Sequence, residues 1–389
     1  MAQGGGQLKL TLPVSDVALM RPRSSDRMKL IAASRDVTSR NRRSAGTCRW
    51  TLYHGDVRGA YGTWPAPSAI ISDGAYGVGG FHGDPRTSDG LIKWYTPHIE
   101  AWSEKATAAT TLWFWNTEVG WATVHSLLAA NGWEYVQAII WDKGIPHIAG
   151  NVNGDTIRQF PVVTELCVFY RRRLEFVTPL GVMTAKKWLR HEWRRTGLSL
   201  SKANQACRVR NAATRKYLTQ DWLWYFPPPE MMQKLVDYAN EHGDSAGRPY
   251  FSCDGERPIT AEEWASLRHP WDHQHAVTNV WSHPPLNGDE RYKGNGHRSA
   301  PRVYKPGKNA TIHLNQKPIS FMRRIISAST DLGDVVWEPF GGLCSASVAA
   351  IELQRRPFAA EVYDVFYDLA RERLDGAMRC SGSEILNVD

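Results

Sequence analysis

Residues 333–364 read GDVVWEPFGGLCSASVAAIELQRRPFAAEVYD. The apolar run Val335–Trp337 has the character of a buried strand, and it breaks at a pair of glycines. A small-residue helix follows, and a second apolar strand ends on an acid, Glu361. That acid lies about twenty residues beyond the glycines, the spacing of a βαβ unit whose second strand offers a carboxylate to a ribose. The turn is not GxGxxG, and it lacks the Lys-Ser/Thr of a phosphate loop. Glu338 stands before the glycines, where it would repel phosphate and attract an ammonium. The pattern suits an adenosine cofactor that carries an amino acid, and S-adenosyl-L-methionine meets that description. Glu338, Phe340, Gly341, Gly342, Ser345 and Glu361 are its candidate contacts. The plainer alternative is an ordinary turn with structural glycines.

Outward from this unit, strand and helix patterns alternate. Strands are expected at 49–56, 68–73, 110–116, 134–144, 162–172, 334–340 and 356–362. Helices are expected at 91–106, 121–133, 317–330, 346–354 and 365–378. This alternation implies an α/β sheet with helices on both faces. The pattern lapses over residues 174–300, which are basic and rich in Trp and Pro, with a helix expected after Pro227-Pro228-Pro229. One α/β domain split by an inserted, mainly helical domain follows. The expected division is a basic arm at 1–45, a first half at 46–173, an insert at 174–305 and a second half at 306–380.

The chain has 389 residues, is 42% hydrophobic and carries a formal charge of +8. That is an ordinary globular composition with a lean toward polyanions. From Arg171 to Lys216 there are thirteen Lys and Arg against two acids. Such a stretch serves phosphate contacts, or else forms a solvated helical face. No apolar run approaches the ~20 residues of a membrane span, and the first residues lack a secretory apolar core. A cytoplasmic protein with no membrane partner is expected. The six cysteines form no CxxC pair and no zinc-spaced cluster with histidine, so no metal is expected.

Two further stretches carry chemistry. In AIISDGAYGVGGFHGD, residues 69–84, an apolar strand ends in Ser72-Asp73-Gly74-Ala75-Tyr76 and a glycine-rich loop that suits closure over a ligand. In HLNQKP, residues 313–318, a helix begins whose free N–H groups and Lys317 suit a carboxylate.

Together these three places resemble the DNA amino-methyltransferases, which methylate the exocyclic nitrogen of adenine or cytosine from S-adenosylmethionine. Asp73-Gly74-Ala75-Tyr76 corresponds to the family's Asp-Pro-Pro-Tyr, and EPFGGLCS at 338–345 to its Asp-Pro-Phe-x-Gly-Ser-Gly-Thr. HLNQKP corresponds to HPTQKP, and Asp56 to an acid near the cofactor adenine. The order is catalytic motif, recognition region, cofactor motif, which is the circular permutation of the β group. The resemblance covers about residues 49–172 and 311–378. Gly-Ala replaces Pro-Pro, Glu338 replaces Asp, and Leu343-Cys344 replaces Ser-Gly.

The resemblance implies a Rossmann-like methyltransferase fold with an inserted target-recognition domain. It implies Asp73, the Gly74 carbonyl and Tyr76 as catalytic groups, with Tyr76 stacking on an extruded base. Asp56, Ser72, Asn315, Lys317 and Pro318 then join the cofactor set. Double-stranded DNA is the implied partner. A restriction–modification role implies a bacterial, nucleoid-associated enzyme, and it allows a homodimer and a cognate restriction endonuclease.

Within the insert, residues 198–226 resemble a helix-turn-helix, with SLSKANQAC, RVRN and AATRKYL as first helix, turn and second helix. Arg208, Arg210, Arg215 and Lys216 are its candidate DNA contacts. Trp281, on the return path, is expected in the core. Asp73 in place of Ser favours adenine N6, with cytosine N4 as the alternative. A non-catalytic DNA-binding protein with a decayed cofactor site is the rival of another class.

Overall fold

A computed structural model describes residues 49–81, 83–148, 155–178, 180–245, 247–287, 290–292, 302–305, 308–311 and 316–385. Along the chain run β1 (Thr51–His54), β2 (Ala69–Ser72), α1 (Leu91–Lys105), β3 (Thr111–Asn116), α2 (Glu118–Ala130), β4 (Trp133–Asp142) and β5 (Thr164–Arg172). Then come the hairpin β6 (Glu175–Thr178) and β7 (Gly181–Thr184), followed by α3 (Ala185–Arg195), α4 (Lys202–Cys207), α5 (Pro229–His242) and α6 (Ala261–Ser266). The chain ends with β8 (Val280–Ser282), the hairpin β9 (Arg302–Lys305) and β10 (Lys308–Thr311), α7 (Ile319–Ser329), β11 (Val335–Glu338), α8 (Ser345–Glu352), β12 (Arg356–Glu361) and α9 (Asp364–Ile385).

Eight strands form one sheet in the order β1-β12-β11-β2-β3-β5-β4-β8. The first five are mutually parallel. β5 runs antiparallel to β3 and β4 on either side, and β8 is parallel to β4. Every residue of β2, β3 and β11 is buried, because helices cover both faces of these central strands. Each fully buried aliphatic side chain there contributes about 1.5–3 kcal/mol. α1 buries Leu91, Tyr95, His98, Ile99 and Trp102, the stripe of a period of 3.6.

The chain leaves β11 through α8 toward β12, and leaves β2 through α1 toward β3. The sheet order therefore reverses between β11 and β2. A crevice opens outside the carboxyl ends of such a strand pair, where α/β sheets hold their ligands. Val336 and Trp337 pair with Ala69 and Ile70, so the segments after both strands, with Glu338 and Asp73, reach the same end of the sheet.

A second hydrophobic cluster, drawn mostly from residues 176–267, is helical and Trp-rich. Phe176 stacks on Trp188 at 4.1 Å, and Phe226 on Trp264 at 4.2 Å. α3 turns Trp188, Leu189 and Trp193 inward, and buried Glu192 is bound by Arg195 and Arg248. Part of the thirteen-cation stretch is thus structural. The chain rejoins the main sheet earlier than the expected boundary at 305, since β8 pairs with β4. Trp281 in that strand is buried against Phe321, in the core as expected. Among the described residues no helix is long and apolar enough to cross a membrane.

Candidate active site

Asp73 leaves the end of β2 and lines one recess with Lys317, Glu338, Phe340, Gly341 and Ser345. The sites near the two ends of the chain therefore meet. The carboxylate is held from behind. Its Oδ1 accepts from Lys317 Nζ at 2.8 Å and lies 2.8 Å from the Tyr76 hydroxyl, whose single proton it shares with Glu165. No hydrogen bond from the described residues reaches Oδ2.

Gly74 and Ala75 are buried. The Ala75 carbonyl accepts twice, from the Tyr95 hydroxyl and from Asn116 Nδ2. The Gly74 carbonyl takes no bond among the described residues. Of the two adjacent carbonyls, only that of Gly74 lacks a hydrogen-bond partner among the described residues. A Cβ on Gly74 would lie 2.7 Å from Phe340 ring atoms, so only glycine fits under that ring. Phe340 is in turn wedged among Trp94, Tyr95, His98 and Trp102. Its place is under the loop that carries Asp73 and Gly74 as well as on the recess.

Asp84 was not anticipated. Its carboxylate gathers the N–H groups of Tyr76, Gly77, Val78 and Gly80. The glycine-rich stretch read as a closing loop is thus tied down at its start. Glu165 and Lys143 were also missed. Glu165, on β5, is bound by the Tyr76 hydroxyl at 2.5 Å, Lys317 at 3.0 Å and Lys143 at 2.8 Å. Burial pushes its carboxyl up, but Lys317 and then Lys143 outweigh that and hold it at about 2. Burial likewise pulls the Lys317 ammonium down, and Asp73 and Glu165 together raise it above the ordinary lysine value. The Tyr76 phenol is pushed well up by burial and by the two carboxylates. The only sequence signal for Glu165 is an acid inside the apolar strand TELCVFY.

The glycine turn is built by its own backbone. Gly341 N–H donates to the Ala360 carbonyl at 2.8 Å, and Gly342 N–H to Glu361 Oε2 at 2.8 Å. Cys344, which replaces a family glycine, adopts φ 54° and ψ 45°, the left-handed conformation glycine favours. Arg373 of α9 reaches the Leu343 carbonyl at 2.6 Å and Ser345 Oγ at 3.2 Å, bracing the turn from outside. Glu338 accepts from Ala346 N–H, Ser347 N–H and Ser347 Oγ at the head of α8. Burial pushes its carboxyl up to about 7 despite those bonds. Glu361 also accepts from Val362 and Tyr363 N–H, and burial raises its carboxyl as well.

The remaining expectations sort by position. Asp56 is paired with Arg58 at the end of β1. Gly55 beside it donates to the Glu361 carbonyl, so Asp56 shares that rim of the sheet. Ser72 is fully buried and is not among the residues that line the recess. Pro318 opens α7 directly after Lys317, and Asn315 lies outside the described residues. The Lys317 ammonium, read from the sequence as facing a cofactor carboxylate, is turned onto Asp73 and Glu165.

The helix-turn-helix stretch holds α4 and a π-helical segment, Thr214–Thr219. Arg208 stands at the turn with φ 55° and ψ 44°, where a glycine is usual. Arg208, Arg210, Arg215 and Lys216 are all exposed, while Tyr217 and Leu218 anchor the segment inward.

The profile of the N6/N4 DNA methylase family matches residues 67–372, running through both halves of the sheet and the segment between them. The chain belongs to that family. Of relatives of this DNA methylase, the type II methyltransferase M.BglII of Bacillus subtilis is 23% identical over 330 residues, 84% of this chain and 69% of its own. The DNA adenine methyltransferase YhdJ of Escherichia coli K12 is 29% identical over 119 residues, 31% of this chain and 35% of its own. Among solved structures, the cytosine-N4-specific PvuII DNA methyltransferase aligns over 89% of the methylase and 95% of its own chain, at 11% identity and a TM-score of 0.45. The M1.HpyAVI–SAM complex aligns over 84% of the methylase and 100% of its own chain, at 13% identity and a TM-score of 0.44.

Proposed function

We propose that this methylase transfers a methyl group from S-adenosyl-L-methionine to the N6 amine of an adenine turned out of duplex DNA. The observation that carries the reading is a pair of acceptors at one strand end, Asp73 Oδ2 and the Gly74 carbonyl, that take no hydrogen bond from the described residues. An exocyclic amine is a poor nucleophile because its lone pair is delocalised into the ring. Two acceptors that hold its two N–H bonds push the nitrogen toward a tetrahedral shape and free the lone pair. S-adenosyl-L-methionine held here would supply a sulfonium methyl, and the lone pair freed by Asp73 and the Gly74 carbonyl would take that methyl in exchange for the sulfur. The nitrogen then gives up one proton to water, so Asp73 works by hydrogen bonding and alignment, the main lever in such a transfer. Tyr76 is tied to Asp73 through its hydroxyl, and its ring would meet the face of the extruded base. Stacking on it contributes about 1–3 kcal/mol toward the few kcal/mol of base extrusion.

The residues fit such a cofactor. Two buried carboxyls, Glu338 and Glu361, flank the glycines, and the buried ammonium at the recess is already committed to Asp73 and Glu165. The crevice therefore suits an ammonium and a ribose better than a diphosphate. Glu338 would take the ammonium, Glu361 the ribose, and Gly341, Gly342 and Ser345 the close approach of the ligand. Asp56 would stand toward the adenine. The exposed Arg208, Arg210, Arg215 and Lys216 would meet DNA phosphates or guanine edges, and residues 174–305 would serve as the target-recognition unit. The M.BglII likeness supports a restriction–modification setting in a bacterial cytoplasm.

Incubation with DNA and cofactor, followed by nucleoside analysis, tests the reading. N6-methyladenine is expected. N4-methylcytosine as sole product would overturn the choice of base. No methylated nucleoside, with DNA still bound, would favour a non-catalytic DNA-binding protein.

A further inference from the structure

The buried charges behind Asp73 exceed what cofactor binding needs. Two carboxylates, Asp73 and Glu165, alternate with two ammoniums, Lys317 and Lys143, and the Tyr76 hydroxyl closes the cluster. Lys317 is 4% exposed and lies 5.4 Å from the ring centres of both Tyr76 and Trp115. Burying such a network does little for stability, because desolvation offsets the attraction. Its effect is to fix geometry. With Oδ1 tied by Lys317 and Tyr76, rotation of the Asp73 carboxylate is restrained, and Oδ2 has no partner among the described residues.

We propose that Lys317 and Glu165 are positioning residues of the transfer: Lys317 holds Asp73 by Oδ1, and Glu165 holds Lys317 and Tyr76 in place. This deepens the reading of Asp73 as the acceptor for the base amine and rests on it. The ionisable groups facing Asp73 are Tyr76 and Asp84 of its own loop, Tyr95 of α1, Glu165 and Cys167 of β5, Lys317 before α7 and Glu338 of β11. Lys143 reaches Glu165 from beyond β4. Among these, Lys317 is the only cation in direct contact with Asp73.

The two positions differ in sign, and that makes them testable. In Lys317→Met, Asp73 and Glu165 face one another through Tyr76 without a cation between them, and the pair comes to share a proton. The acid limb of kcat then moves to higher pH, by about one unit or more. In Glu165→Gln a competing negative charge is gone and Lys317 serves Asp73 alone, so the limb moves the other way or stays. Both variants lose about 100-fold in kcat at neutral pH, the scale of a misplaced reacting group, with cofactor affinity held within about threefold of the parent.

The assay is incorporation of labelled methyl into long unmodified DNA by the full chain across pH 5–9, roughly the range of the acid limb, with calorimetry for S-adenosylmethionine alone. Opposite or one-sided displacement of the limb with intact cofactor binding supports the proposal. Equal profiles in both variants overturn it. So does weakened cofactor binding in Lys317→Met with an unmoved limb, which would return Lys317 to the cofactor carboxylate. Where Lys317→Met fails to fold, Glu165→Gln decides alone: an upward move of its limb, or no loss in kcat, overturns the proposal. Asp73→Ala in the same assay separates the two levels, because retained activity there removes the reading of Asp73 itself.

Discussion

The ring of Phe340 occupies the space a side chain on Gly74 would need, with Cδ2 and Cε2 both 2.7 Å from the position of a Cβ there. The Tyr95 hydroxyl lies 2.9 Å from the same point. Trp94, Tyr95 and Trp102 prevent the ring from yielding. Overpacking of this kind costs about 1–3 kcal/mol. Gly74→Ala should lower the thermal midpoint and reduce turnover, and adding Phe340→Leu should restore part of the midpoint. An unchanged midpoint in the single variant would mean that the loop and the ring are not in register.

Asp73→Ala removes one of the two acceptors and leaves Lys317 paired with Glu165. Turnover should fall by about 100-fold or more, as when a preorganised hydrogen-bonding group is removed from a site. Cofactor binding by calorimetry should stay close to that of the parent chain. Loss of both together would place Asp73 in the cofactor site instead.

Glu165 and Glu338 make opposite contributions to stability as pH changes. Glu165 is held at about 2 against an ordinary 4.5, because Lys317 and Lys143 outweigh its burial. Its contribution is full above pH 4.5 and is lost as pH falls through about 2. Burial raises Glu338 to about 7 from 4.5, so its contribution is full below 4.5 and is lost as pH rises through about 7. Denaturant unfolding across this range should show Glu165→Gln flattening the acid side and Glu338→Gln flattening the neutral side. A Glu338→Gln curve parallel to the parent between pH 4.5 and 7 would contradict the assignment.

Arg208 carries a charge in a backbone conformation that costs a non-glycine residue about 1–2 kcal/mol. Arg208→Gly should therefore stabilise the insert slightly while weakening DNA binding. Neutralising Arg208, Arg210 and Arg215 together should reduce the slope of log affinity against log salt by about 0.9 for each phosphate that these side chains neutralise. A slope equal to that of the parent chain would locate the DNA face elsewhere.

Local pattern carried most of the fold and the two motif ends of the site. Strands β2, β3 and β11 are buried on both faces, so their sequences are continuously apolar and readable without partners. The glycine turn and Asp73 are legible because each packs its chemistry into a few adjacent residues. The return of β8 to the main sheet was not legible, since a three-residue strand has no periodicity to read. Nor were the partners of Lys317. Its position before α7 suggests a carboxylate ligand, but the Asp73 contact spans 244 residues of chain, and Glu165 comes from a third segment. Sequence determines which groups can bear charge or turn the chain. Only the packed tertiary structure, where burial makes every charge find a partner, decides which of them face one another.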